Sequence, residues 1–99
     1  MLNQISVIGM SWYKEHDYQR LRDIFDDGDK LPPTYAKWLQ NAQYGFDELT
    51  SKGHIVIKAY IDPESFTGWC VKQGYRIDAK ARNQFAIDTA HAYIESRGK

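Results

Sequence analysis

The sequence contains a single cysteine, Cys70, which excludes an internal disulfide. It also lacks any apolar run near the roughly 18 to 20 residues that cross a membrane. Charge of one sign is not in excess, because 13 lysines and arginines balance 13 aspartates and glutamates. Composition therefore does not indicate the dense basic face that is typical of nucleic-acid-binding proteins. We expect a cytoplasmic protein with no membrane segment.

Linear signatures of catalysis and metal binding are also missing. His16, His54 and His91 lie far apart, without the paired spacing of a metal site. Cys70 follows Trp69 on an apolar helix edge, and we interpret it as a core residue because free cysteine is usually buried. We therefore expect no metal, no cofactor and no enzymatic activity. An enzyme remains a third alternative, since an acid–base site can form without a linear motif.

Aromatic side chains are plentiful, at 14% of the 99 residues. This content predicts an ordered core, with a minority of aromatic residues left for an interface. A chain of this length forms one small domain that buries about 65% of its unfolded surface, so oligomerisation would add stability. We predict a single domain over residues 1–99, with residues 1–9 as a possible extension, residues 10–53 as a helical hairpin and residues 54–96 as a strand-helix-helix unit.

Four helices are predicted from apolar residues that recur every three or four positions. The capping residues mark the last two, since Asp62 precedes Pro63, Gly74 ends the third helix, and Asp78 can cap the fourth. The apolar stripe of the second helix is interpreted as core, with a helix–helix dimer seam as the alternative. The predicted helices cover residues 14–25, 33–52, 63–73 and 79–96.

Residues 54–61 alternate with period two and predict a strand, whose partner is not obvious. Residues 4–8 alternate in the same way and could supply that partner. Alternatively, Met10 is the natural start, and the partner strand comes from elsewhere. The predicted fold is therefore α+β, with about four helices and a short two-stranded ribbon, the strand pairing either across a homodimer or with the N-terminal segment.

The order of strand, Asp62-Pro63-Glu64 helix start, short helix, Gly74 turn and longer helix resembles the ribbon-helix-helix family of small bacterial transcriptional regulators and antitoxins. The resemblance covers residues 54–96 and rests on element order. It implies that two chains pair their strands into an antiparallel ribbon that enters the DNA major groove. The base-facing positions would then be Val56, Lys58 and Tyr60, with a phosphate clamp near Asp78.

Two functions are favoured by these patterns, and both suit a homodimer. The first is a dimeric DNA-binding regulator, and its candidate contacts are Lys58, Tyr60, Arg76, Lys80 and Arg82. The second is a protein–protein interaction module, an adaptor or inhibitor that uses exposed aromatic residues. Its candidate contacts are Trp12, Tyr60 and Tyr75.

Overall fold

The computed structural model describes residues 6–97 as a mixture of helices and one small sheet. This confirms the predicted α+β class and all four helices within that part of the chain. Single 3-10 turns cover residues Glu15–Asp17 and Gly28–Lys30. The main elements, in chain order, are β1 (Val7–Trp12), α1 (Tyr18–Ile24), α2 (Tyr35–Ser51), β2 (Ile55–Tyr60), α3 (Pro63–Gln73) and α4 (Ala79–Arg97).

The two strands are neighbours and run parallel. Val7 lies opposite Ile55 and Trp12 lies opposite Tyr60, so the strands match over their full length. The pairing of β2 with the N-terminal segment is thus the alternative that the structure shows. The strand runs on to Trp12, well beyond the predicted end at residue 8, and Met10 belongs to it. Of the predicted strand, residues 4 and 5 lie outside the described part of the chain.

Each face of the sheet packs against a helix, as parallel strands require. On one face, the Trp12 ring lies 5.3 Å from the Trp38 ring and 5.8 Å from the Phe46 ring, both on α2. On the other face, Gly9 lies against the backbone of Ala86 in α4. Successive residues of β1 therefore contact different helices.

An aromatic cluster fills the space between β1, α1 and α2. Its centre is Trp38, and the neighbouring ring centroids lie 4.6 to 6.0 Å away. Trp12 belongs to this cluster and is 3% exposed, so the prediction that it lies exposed at an interface is wrong. Side chains along β1 point alternately to the two faces of the sheet, and Trp12 lies on the face that packs against α2. The neighbours of Trp38 are Trp12, Tyr13, Tyr18 and Tyr35.

Capping residues set the helix boundaries. An Asp62 carboxylate oxygen accepts the Ser65 N–H at 3.0 Å, and Gly74 ends α3 with φ of 76°, a left-handed conformation that suits glycine. The Asp78 carboxylate accepts the Ala81 N–H at 3.1 Å and caps α4. These boundaries confirm the sequence prediction.

The first two helices are shorter than predicted. The segment before α1 forms a 3-10 turn, and α1 itself covers Tyr18–Ile24. Helix α2 begins at Tyr35, two residues after Pro33, because the Thr34 hydroxyl accepts the Lys37 N–H at 3.2 Å and caps the helix there.

Replacing Gly9 by alanine is expected to destabilise the fold. The new Cβ would overlap the carbonyl group of Ala86, so α4 would have to move off the sheet. We expect a loss of about 2 kcal/mol or more in the free energy of unfolding, measured by urea denaturation.

Gly68→Ala is the matched control. Apart from the adjoining residues and backbone of α3 itself, no atom lies within 4 Å of the added Cβ. Alanine is the better helix former, so this change should stabilise the protein by up to about 1 kcal/mol. Similar effects of the two substitutions would contradict the close packing of α4 on Gly9.

Candidate functional site

Arg82, a predicted nucleic-acid contact, is 7% exposed. Its two Nη atoms each donate to an Asp27 carboxylate oxygen at 2.8 Å, and its guanidinium carbon lies 4.4 Å from the centroid of the Phe25 ring. This bidentate pair joins α4 to the turn after α1. Since both terminal nitrogens are used inside the fold, Arg82 contributes no exposed charge to a binding surface.

The electrostatics of this pair agree with its geometry. Hydrogen bonding from Arg82 lowers the pKa of Asp27, even though partial burial opposes the shift. Burial lowers the pKa of Arg82, but the hydrogen bonds to Asp27 and the charges of Tyr13, Asp27 and Asp78 together outweigh burial, so the pKa is raised overall. Burial also raises the pKa of the adjacent Tyr13 to about 12. All three groups therefore keep their usual ionisation states near neutral pH.

The predicted base-facing residues of β2 differ in exposure. The Lys58 Nζ lies 4.4 Å from the Trp12 ring centroid and 5.0 Å from that of Phe46, so this half-buried ammonium packs against two aromatic rings. Val56 is also half-buried, whereas Tyr60 is half exposed. The Lys58 ammonium thus lies in the layer between β2 and α2.

The residues after α3 form a groove at the α3–α4 turn. The left-handed Gly74 reverses the chain, and the Tyr75 N–H donates to the Cys70 carbonyl oxygen at 2.8 Å. The resulting cavity has a volume of about 240 Å³. We call it the α3–α4 groove, and it is lined by Gly74, Tyr75, Arg76, Asp78, Lys80 and Ala81.

Exposed cations line this groove. The Arg76 Nε donates to an Asp26 carboxylate oxygen at 3.0 Å. The structure records no hydrogen bond from its two Nη groups to residues 6–97. Lys80 is exposed and forms no ion pair within that part of the chain. The groove therefore presents a guanidinium end and an ammonium that can bind carboxylate or phosphate oxygens.

Apolar surface adjoins the same groove. The Tyr75 ring packs 5.5 Å from the Trp69 ring and remains partly exposed. Val71, whose carbonyl oxygen accepts the Gly74 N–H at 3.1 Å, is 75% exposed. The groove thus combines an aromatic ring, two cations and the Asp78 carboxylate that caps α4. Three residues that the sequence singled out, Tyr75, Arg76 and Lys80, come together here.

A second, smaller cavity of about 100 Å³ lies at the carboxyl ends of β1 and β2. Parallel α/β proteins commonly bind ligands at this position. Its carboxylates already have partners, since Asp62 accepts the Ser65 N–H and Asp17 lies 3.5 Å from His16. No local sequence pattern predicts this cavity, because its two halves lie more than 40 residues apart in the chain. It is lined by Lys14, His16, Asp17, Tyr60, Ile61 and Asp62.

Cys70 is fully buried, and burial raises the pKa of its thiol. A protonated, inaccessible thiol is a poor nucleophile, which agrees with its interpretation as a core residue. Within residues 6–97, the structure contains no group of three or more His, Cys, Asp or Glu side chains placed to hold a metal ion.

No model of a known protein family matches this chain, and neither a curated protein nor a solved structure is detectably similar to it. In the described part of the chain, no helix combines the length and apolar character needed to cross a membrane.

Asp27→Asn is expected to destabilise the protein at neutral pH, because it leaves the Arg82 charge buried without a compensating carboxylate. The loss should be about 3 kcal/mol near pH 7. Because the folded-state pKa of Asp27 is lowered, its contribution is present above the unfolded value of about 3.9 and disappears as the pH falls through the folded value. The measurement is urea denaturation of both proteins at several pH values between about 7 and 2.

Asp26→Asn provides the control, since Asp26 and Arg76 form an exposed ion pair. Removing it should cost less than about 1 kcal/mol. Equal losses for the two aspartates, or an Asp27→Asn effect that persists unchanged into strong acid, would show that Asp27 and Arg82 do not form the buried pair described.

Proposed function

We propose that this protein is a non-enzymatic protein-binding module whose α3–α4 groove binds an acidic segment of a partner. One observation carries the proposal, namely that Tyr75, Arg76 and Lys80 line one groove. Tyrosine and arginine are enriched among the residues that dominate binding energy at protein interfaces. We further propose a small cytoplasmic bacterial protein that acts as a homodimer.

The arrangement of charge favours a carboxylate-bearing partner. Arg76 uses its Nε for Asp26, and a partner carboxylate can bind end-on to the two Nη groups. Lys80, which lines the same cavity, supplies a second positive charge. An apolar side chain next to that carboxylate would cover the partly exposed Tyr75 ring. The preferred ligand is therefore a short peptide with an acidic residue beside an aliphatic or aromatic one.

A dimeric DNA-binding regulator is the second candidate. Its support is that Arg76 and Lys80 lie together at the start of α4, where the ribbon-helix-helix resemblance implies a phosphate clamp. Among its other proposed contacts, Arg82 is buried and Lys58 half-buried. Two exposed cations favour a local acidic contact over an extended phosphate backbone, and this is why we place the protein-binding function first.

A random peptide display library tests the first function. We expect enrichment of peptides that pair an acidic residue with an apolar one. Arg76→Glu should weaken the best of these by at least about tenfold, because it replaces an ion pair with two like charges. Binding is measured by fluorescence anisotropy of the labelled peptide.

Lys37→Glu is the matched charge reversal, at an exposed site on α2 outside the groove, and it should leave affinity nearly unchanged. Equal effects of the two reversals, or enriched peptides without acidic residues, would overturn the proposed mode of binding. Retention of duplex DNA that is lost with Arg76→Glu and falls steeply between about 50 and 200 mM salt would instead support the regulator.

A further inference from the structure

The smaller cavity, of about 100 Å³, lies where the chain changes sides of the sheet, and we call it the strand-end cavity. After β1 the chain enters α1 and α2, and α2 packs on the sheet face that carries Trp12. After β2 it enters α3 and α4, and α4 packs on the opposite face, against Gly9. Adjacent parallel strands whose connections leave for opposite faces form a crevice beyond their carboxyl ends, where α/β proteins bind ligands. The strand-end cavity occupies that crevice.

The segments that follow the two strands form this cavity. Trp12 and Tyr60, the last residues of β1 and β2, lie opposite each other, and the Ile61 N–H donates to the Trp12 carbonyl oxygen at 3.0 Å. This hydrogen bond joins the two segments that supply Lys14 and Asp62 to the cavity. The charged side chains of the cavity are therefore held on backbone whose position the sheet fixes.

Asp17 brings a mostly buried carboxylate to the strand-end cavity. Its side chain is 19% exposed, and its one ion pair within residues 6–97 is with the imidazole of His16, whose Nε2 lies 3.5 Å away. That imidazole is exposed and carries a positive charge only when it is protonated. Burial of a carboxylate is costly unless a cation or a hydrogen-bond donor accompanies it. Asp17 is therefore suited to a positively charged group of a ligand.

Lys14 supplies the opposite charge at the same cavity. Its Nζ lies 5.5 Å from the centroid of the Tyr60 ring, and it forms no ion pair with residues 6–97. The Ser65 N–H lowers the pKa of Asp62, burial opposes this shift, and the charge of Lys14 adds to the lowering. Lys14 is thus near Asp62 but is not paired with it. An ammonium and two carboxylates line one cavity without direct contact between opposite charges.

We infer that the strand-end cavity binds the charged groups of a free α-amino acid, with its ammonium on Asp17 and its carboxylate on Lys14. The cavity has room for about three water molecules at roughly 30 Å³ each, which suits these two groups and the carbon between them. The two aspartates oppose the binding of an anion alone, and Lys14 opposes that of a cation alone. A ligand that carries both charges avoids both repulsions.

This site is separate from the α3–α4 groove. The strand-end cavity and the groove share no lining residue. The inference therefore goes beyond the proposed protein-binding function, and a test with a free amino acid separates the two. Peptide binding at the groove can fail while amino-acid binding stands, and the reverse also holds.

NMR titration of the full chain with glycine tests the inference, because glycine carries both charges and no side chain. We expect saturable shifts of the Lys14 and Ile61 amide signals, with a dissociation constant of about 1 mM. Acetate and methylammonium each carry one of the two charges and should bind at least about tenfold more weakly. No saturation up to about 100 mM glycine, or acetate or methylammonium that binds as tightly as glycine, would overturn the inference.

Two substitutions locate the bound glycine. Lys14→Met and Asp17→Asn should each weaken glycine binding at least about tenfold, because each removes one of the two charges that the ligand contacts. The Asp17 side chain forms no capping hydrogen bond with α1, so its replacement leaves the start of that helix intact. Lys72→Met is the matched control, at an exposed site near the other end of α3, and it should leave the affinity unchanged. Equal losses for the two lysines, or full affinity in both cavity variants, would refute the site.

Discussion

The close contact between the α4 backbone and Gly9 fixes the rest of the architecture. It sets α4 along β1, where the Ser11 hydroxyl donates to the Arg82 carbonyl oxygen at 3.2 Å. Arg82 is thereby positioned to reach Asp27 in the turn after α1. The preceding residue, Asp26, donates its N–H to the Ile77 carbonyl oxygen at 2.7 Å, next to the α3–α4 groove. A single backbone contact thus connects the sheet, the buried ion pair and the candidate binding surface.

Two adjacent aspartates illustrate how environment separates like side chains. Asp27 faces a buried guanidinium, so its charge contributes to stability through a desolvated bidentate contact. Asp26 faces an exposed guanidinium, where water and salt weaken the attraction. The first aspartate holds α4 in place, and the second orients Arg76 at the groove. The two ion pairs therefore have different roles. The buried pair of Arg82 and Asp27 stabilises the fold, and a partner carboxylate can join the exposed pair of Arg76 and Asp26.

Local signals in the sequence predicted the elements better than their arrangement. Asp62, Pro63 and Gly74 bounded α3 because caps act within a few residues. The parallel pairing of β1 and β2 joins segments 48 residues apart, for which no neighbouring residue gives a signal. Arg82 was assigned to a binding surface because its partner in the fold, Asp27, lies 55 residues away in the sequence, where no local pattern reveals the pairing. The groove was partly predictable, since Tyr75, Arg76 and Lys80 are close in sequence, whereas its shape depends on how α3 and α4 pack.

The position of β1 between β2 and α4 also affects how the chain folds. The strand near the amino terminus completes its two packing faces with α2 and with α4, which ends at Arg97. During synthesis, β1 leaves the ribosome before α4 and lacks one covering layer until that helix emerges. Such contacts between distant segments slow folding, because the loop between them must close before they form. The sheet therefore gains its second covering layer only after α4 has been made, and until then the apolar groups of β1 are exposed to aggregation.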